Sequence, residues 1–430
     1  MGSKGYTFES LTYDEFIDSM EWPLKKKEEA RLIAAEFNND EIAWLDDKTR
    51  AFAKWEELKQ KTALNTRLIQ GFGDGFSLIT GRMIKSIYKA LKPVLSDPLA
   101  VICVGSMMTA EQIGQWRLDC DSKFPHTLDL DGEAYDATTL RLRTLKTIEL
   151  YRSLSGTDHS SLDVLERSLK IHGSLFAQGI KYSLPTQSWL DGSAPMASGR
   201  ADTTLTNSLQ RAEEGLFYLL STGRRGKIIV SGDDLQIAYS GAPFSKDEIQ
   251  GLGIRLNRRE KFENDKRENA VFLRKLFYPV GDLIIPGVLI GRAISRAGWI
   301  KADVSAKKRS GVLKGDMLGR LACDRHVPIL SVYAKRIIEL LDETKAIQGT
   351  KKNHKEWLQY DNSYEKMSNT YEFVASRYNL TVEDILDCEK YVETIQLKEN
   401  LDHYVIDRIF EVDVGSAEPV REGLWYSGHE

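Results

Sequence analysis

The chain has 430 residues, 42% of them hydrophobic and 28% charged, with a formal net charge of −4. It can bury a substantial core in one elaborate domain or two to three subdomains, and its charge neither demands nor forbids a nucleic-acid partner, because a basic groove can be offset by acidic surface elsewhere. Its four cysteines, Cys103, Cys120, Cys323 and Cys388, form no CxxC pair, which argues against a disulfide scaffold or a cysteine-rich zinc module and for a reducing compartment.

No apolar run reaches the ~18 residues of a membrane span, and Met1-Gly2-Ser3-Lys4-Gly5 lacks a signal-peptide core, so a soluble piece is expected. Lys25-Lys26-Lys27-Glu28-Glu29 opens a helix with a solvated face. Phe52, Trp55 and Leu58, at helical spacing, predict an amphipathic helix over 51–62. A short strand through Leu68-Ile69-Gln70 and a glycine-rich turn follow. Beside them, the guanidinium of Arg67 offers a fork of donors suited to a phosphate or to a surface salt bridge. Residues 76–92 read as a basic helix, 99–105 as a buried strand, and Glu111 to Asp121 as a helix leading into the next strand.

That strand, His126 to Asp136, alternates. Leu128 and Leu130 fall on one face and Asp129 with Asp131 on the other, so the carboxylates need not enter the core. Asp136 comes after Gly132 has let the chain turn. Residues 138–174 read as helical, with Leu140, Leu142, Leu145, Ile148 and Leu150, then Leu162, Leu165 and Leu169, as apolar faces. The loop 190–200 is dense in small residues and opens onto a helix running to about Leu220, on which Thr203 and Asn207 share a face.

Ile228 to Tyr239 is the stretch around which the chain is organised. Two largely apolar runs flank Gly232-Asp233-Asp234, which predicts a β-hairpin with acid at its tip. Adjacent carboxylates are costly to bury unless a cation answers them, so the tip reads more economically as a metal site than as packing. Gly223-Arg224-Arg225-Gly226-Lys227 lacks the spacing of a nucleotide-binding P-loop. Beyond the hairpin, Arg258 to Lys261 is basic, and Ala270 to Tyr278 reads as a strand or hairpin edge carrying Arg274 and Lys275. Ala306 to Gly311 reads as a basic loop. From Leu330 onward helices dominate, one with a capped start at Thr381.

An Asp131-x4-Asp136 strand end, a Ser198-Gly199-x3-Thr203-x3-Asn207 loop and helix, and the Gly232-Asp233-Asp234 hairpin occur in that order. Together they resemble the palm motifs of RNA-dependent RNA polymerases of positive-strand RNA viruses. Arg67-Leu68-Ile69-Gln70 with Gly81-Arg82 resembles the fingers segment of the tombusvirus-like and nodavirus-like group, and Phe272-Leu273-Arg274-Lys275 resembles its primer grip. Two departures stand out: Gly71 lies near the place of a second fingers arginine, and Asn65-Thr66 replaces a basic residue and proline.

The resemblance implies an α+β, right-hand polymerase fold. Residues 1–125 would form an N-terminal extension and fingers, 126–137 the first part of the palm, 138–196 a fingers insertion returning to the palm, 197–280 the palm, and 281–430 a mostly helical thumb. It implies template-directed RNA synthesis from ribonucleoside triphosphates with two Mg²⁺ ions, for which Mn²⁺ can substitute, held by Asp131, Asp233 and Asp234, and with Lys261 at the place of a general acid. Arg67 would bind the triphosphate, and Asp136, Asn207 and Thr203 would test the ribose. Ser198 and Gly199 would lie near the templating nucleotide, and Arg274 with Lys275 would steady the RNA backbone. Implied partners are template and nascent RNA and other viral replicase components, in host cytoplasm at membrane-associated complexes reached through another region or partner. A reverse transcriptase is the enzymatic alternative, disfavoured by Gly232 and the Ser198/Thr203/Asn207 set; a noncatalytic RNA-binding scaffold is the other.

Overall fold

A computed structural model describes residues 8–37, 49–53, 68–156, 159–170, 173–177, 180–183, 196–265, 269–297, 305–347, 364–397 and 401–415. The chain divides into two units, Met1–Met107 with Leu128–Asn264, and Met108–Thr127 with Asp265–Glu430.

The first unit is built on a five-stranded sheet in the order β3-β7-β8-β4-β9: β3 Ile102–Val104, β4 His126–Gly132, β7 Arg225–Ser231, β8 Asp234–Ser240 and β9 Glu260–Asp265. Ile228, Ile229 and Val230 of β7 and Leu235 and Ile237 of β8 are buried on both faces, as β-branched and apolar residues in a central hairpin should be. Helices α1 Tyr13–Asp18, α2 Leu24–Ala35, α3 Asp74–Leu95, α5 Arg141–Leu154, α6 Ser160–Arg167, α7 Thr203–Thr222 and α8 Lys246–Arg255 belong to this unit, and α7 packs on β7. Phe76, Ile79, Met83, Ile84 and Ile87 of α3 join Leu128, Leu130, Leu205 and Ala212 in its core. A second sheet has the order β2-β1-β5-β6, with β1 Thr49–Ala53, β2 Leu68–Gly71, β5 Gly173–Ala177 and β6 Ile180–Ser183.

The second unit holds α4 Ala110–Lys123, the antiparallel hairpin of β10 Lys275–Val280 and β11 Leu283–Val288, and α9 Ile290–Ile294, α10 Ala306–Asp324, α11 Leu330–Leu340, α12 Ser368–Tyr378, α13 Val382–Thr394 and α14 Tyr404–Val414. Tyr278, Ile290, Leu330, Ile337, Val374, Ile385 and Phe410 share its core. Thr381 caps α13 in a box with Asp384, as its sequence announced. No helix among the described residues is long and apolar enough to cross a membrane.

Three expectations are corrected. Residues 51–53 are strand, because β1 pairs with both β2 and β5, and two ladders outweigh a helical period in the side chains; 54–62 lie outside the described residues. In α5 Leu142 and Leu150 are 64% and 43% exposed. Ile148 is buried as expected, but beside Thr144, Thr147 and Tyr151, where the helix meets polar groups of α7: the Tyr151 and Thr206 hydroxyls bond at 2.9 Å. Ala306 to Gly311 opens α10 rather than a loop, since lysine and arginine are good helix formers whatever their charge.

Candidate active site

The pairing of β7 with β8 runs to Ser231↔Asp234, leaving Gly232 and Asp233 in the turn. Gly232 has φ +63, the conformation a type II′ hairpin requires at its first central position. α7 holds this turn. Gly232 N donates to Ser208 Oγ at 2.8 Å, and Arg211 Nε donates to Asp233 O at 2.9 Å.

The neighbouring strand β4 alternates as expected: Leu128 and Leu130 are buried, Asp129 is half-buried and Asp131 is exposed. Gln236 Nε2 donates across to Asp129 Oδ1 at 2.7 Å, two residues before Asp131 on one strand and two after Asp234 on the other. Arg211, bonded to the hairpin tip, also lies 5.3 Å from the ring of Tyr135, just past the end of β4. Asp131 and the Asp233-Asp234 pair therefore occupy one end of the sheet.

Asp136 sits in the 3-10 turn Tyr135–Thr138. Asn207 Nδ2 donates to its Oδ1 at 2.7 Å, and Met196 N donates to its carbonyl at 2.8 Å. Two consecutive residues of α7, Asn207 and Ser208, thus grip Asp136 and Gly232. Asn207 is 4% exposed, and its Oδ1 is buried without a hydrogen-bond partner among the described residues. A buried acceptor without a donor suits a ligand hydroxyl.

The loop before α7 is braced from within. Thr203 Oγ1 reaches Ala197 O and Arg200 O, each at 3.0 Å. Arg200 forks onto Asp202 at 2.9 and 2.8 Å, both side chains buried, and Asp202 accepts from Thr206 Oγ1 at 2.7 Å. Gly199 bridges Gly71 of β2, so close that a Cβ there would stand 2.2 Å from Gln70 O. Gly199→Ala must push two backbones apart. Its expected result is a fall in thermal midpoint of several degrees with faster amide exchange at Gly71, the scale of about 1–3 kcal/mol of strain; an unshifted midpoint with unchanged exchange would refute the contact.

Beneath the hairpin lies a buried ionic network. Arg211 bonds Glu260 at 2.6 and 2.9 Å and Glu214 at 2.8 Å, and all three side chains are fully buried. Arg258 Nε donates to Glu214 at 2.9 Å, Arg143 also donates to it, and Tyr135 OH meets it at 3.2 Å. Arg258 stacks 3.7 Å from the Tyr135 ring and bonds Tyr135 O at 3.0 Å. Burial raises the Glu214 carboxyl, but the guanidiniums of Arg211, Arg258 and Arg143 outweigh it and hold the pKa at about 2. Sequence reading missed this network. Its signal was the pair Arg211 and Glu214, three apart in α7 and so able to meet on the helix, since only a paired charge can be buried.

Lys261 is exposed on β9, next to the buried Glu260. Arg67 lies outside the described residues. Arg274 and Lys275 belong to the second unit, at a tight turn that Phe272 and Lys275 close with backbone bonds of 3.0 and 2.9 Å.

Among the described residues, no three His, Cys, Asp or Glu side chains converge as a ready-made ion site. The fit to a divalent cation therefore rests on donor chemistry. The Asp131 and Asp233 carboxylates make no hydrogen bond or ion pair among the described residues, and uncommitted carboxylate oxygens are what Mg²⁺ takes.

No family model and no curated protein matches the chain. Among solved structures, it is similar to the RNA-dependent RNA polymerase of a human picobirnavirus, at 16% identity and a TM-score of 0.54 over 76% of this chain and 61% of that one. An insertion-loop deletion mutant of a human picobirnavirus polymerase gives 15% identity and a TM-score of 0.50, over 79% and 64%. The fold resembles that of a viral RNA-dependent RNA polymerase. It is an α+β fold akin to the fingers, palm and thumb of the right hand, and the chain spans less than two thirds of the polymerase chains it matches.

Proposed function

We propose that this chain is the core of a viral RNA-dependent RNA polymerase that joins ribonucleoside triphosphates on an RNA template. The observation that carries the reading is the double grip of α7, in which Asn207 bonds Asp136 and Ser208 bonds Gly232. It ties the three sequence motifs into one site, as a single nucleotidyl-transfer centre requires.

Asp131, Asp233 and Asp234 would hold two Mg²⁺ ions, with Mn²⁺ able to substitute; when bound, these supply a more acidic primer 3′-hydroxyl and charge stabilisation for the departing pyrophosphate. The chain's own residues do the positioning. The II′ turn carries Asp233 at its tip, and Ser208 and Arg211 fix that turn from below. Asp136 and Asn207 face the ribose, where the open Asn207 Oδ1 accepts the donor that a 2′-hydroxyl has and a deoxynucleotide lacks. Thr203 assists by fixing the loop on which Ser198 and Gly199 stand beside the template. Lys261, exposed at the start of β9, serves as the general acid. Arg67 takes the triphosphate, and Arg274 with Lys275 the RNA backbone. The lineage we propose is the tombusvirus-like and nodavirus-like group, acting in host cytoplasm at membrane-associated replication complexes through another region or partner.

The test is incorporation on a defined single-stranded RNA, with ribonucleotides and deoxynucleotides compared in Mg²⁺. Deoxynucleotide preference would turn the reading to a reverse transcriptase; RNA binding without Mg²⁺-dependent incorporation would turn it to a scaffold. Asn207→Ala should relax ribose selection by the worth of one or two buried hydrogen bonds, about 1–3 kcal/mol each. An unchanged ratio of ribonucleotide to deoxynucleotide kcat/KM removes Asn207 from that role.

A further inference from the structure

The second unit contains a cavity of about 460 Å³, within the roughly 300–1,000 Å³ of small-molecule sites. Five cationic side chains line it: Arg274 and Lys275 at the turn into β10, Arg292 of α9, Arg296 just beyond α9, and Arg320 of α10. Two acids face them, Glu111 in the first turn of α4 and Asp324 at the end of α10. Asp324 has structural partners, accepting from Val288 N at 3.2 Å and lying 3.6 Å from Arg320. Among the residues that line the hollow, cations thus outnumber acids by three, a balance that favours an anion there.

The rim carries backbone strain as well. Leu273 and Arg274 both adopt left-handed φ, +52 and +62, in a turn where glycine and asparagine are the usual residues. Two bulky side chains at such positions cost free energy, which persists where the residues themselves are needed. Here the strain sets Arg274, which is exposed, at the mouth of the cavity.

A single phosphodiester carries one charge, and a nucleic-acid backbone spreads its charges along a groove rather than around a hollow. A polyphosphate concentrates three to four charges in one place and answers converging guanidiniums bidentately. We propose that this cavity binds a polyphosphate, the triphosphate of a free nucleotide or of an RNA 5′ end. The proposal extends the role given above to Arg274 and Lys275, and it rests on the polymerase reading for the source of the ligand but not for the site.

The experiment is equilibrium binding of inorganic tripolyphosphate to the full chain in EDTA, which silences binding that needs divalent ions. Saturable binding is expected, weakened at least tenfold in Arg292→Gln/Arg296→Gln and unchanged in Asp233→Asn. Should the double variant fail to fold, Arg274→Asn serves in its place, because the side chain is exposed and asparagine tolerates the left-handed turn; it should weaken binding several-fold. Competition then separates the sources, ATP against a short RNA with a 5′-triphosphate, and either as the stronger competitor upholds the proposal. No tripolyphosphate binding by the folded chain, binding that the arginine variants leave intact, or equal competition by the same RNA with a 5′-hydroxyl overturns it. Binding intact in a chain that incorporates no nucleotide would refute the polymerase reading alone.

Discussion

Asp233→Asn is expected to lower Mg²⁺-dependent nucleotide incorporation by at least about a thousandfold, roughly 4 kcal/mol of barrier, with no loss of fold. The structure separates the two effects. The Asp233 carboxylate makes no hydrogen bond or ion pair among the described residues, whereas its backbone carbonyl, which the substitution keeps, accepts from Arg211. Circular dichroism, thermal midpoint and RNA affinity should therefore match the unsubstituted chain. Single-turnover incorporation on primed RNA is the measurement, and substantial residual synthesis in Mg²⁺ would remove Asp233 from the ligand set.

Arg211→Met should have the largest effect on stability. Among the described residues it leaves Glu260 buried with only the Tyr218 hydroxyl at 3.3 Å, strips one of three guanidiniums from Glu214, and removes the donor to Asp233 O. Breaking a buried pair from one side costs about 3–5 kcal/mol. Urea unfolding should show a loss of that order, most of it recovered in Arg211→Met/Glu260→Leu, where neither charge remains; equal losses in the single and double variants would mean that the pair is not the cause. Acid should report on the same network. Glu214 in the folded chain titrates at about 2 against an ordinary value of 4.5, so the unfolded chain binds its proton first. Its contribution is whole above pH 4.5 and disappears as pH falls toward 2. Glu214→Gln should flatten that part of the stability curve.

The sheet was legible wherever local pattern and tertiary demand agreed. Alternation in β4 named its buried face, because one face of that strand packs and the other does not. The hairpin of β7 and β8 was legible from Gly232, since the turn needs the backbone freedom that glycine has. Agreement failed where a partner distant in sequence decided. Residues 51–53 joined a strand because β2 and β5 supply its ladders, and α5 buried Thr147 and Tyr151 where Gln210 and Thr206 of α7 bond them. Within the candidate site, Asp131, Asp136, Asn207 and the Gly232 turn were named through the resemblance to polymerase palm motifs, and α7 bonds two of them, Asp136 and Gly232. Arg211, Glu214, Arg258 and Glu260 could not be named, because a charge reads as surface until the residue that neutralises it is known, and Glu260 lies far along the chain from Arg211.

The two adjacent grips of α7 have a consequence for chain length. Successive side chains on a helix diverge by about 100°, so Asn207 and Ser208 reach Asp136 and Gly232 in different directions and hold both only in one phase of the helix. Adding or removing one residue between Thr203 and Asn207 would rotate both grips off their targets together. A change of side chain at the exposed Thr204 leaves that phase untouched, whereas a change of length anywhere in this segment does not.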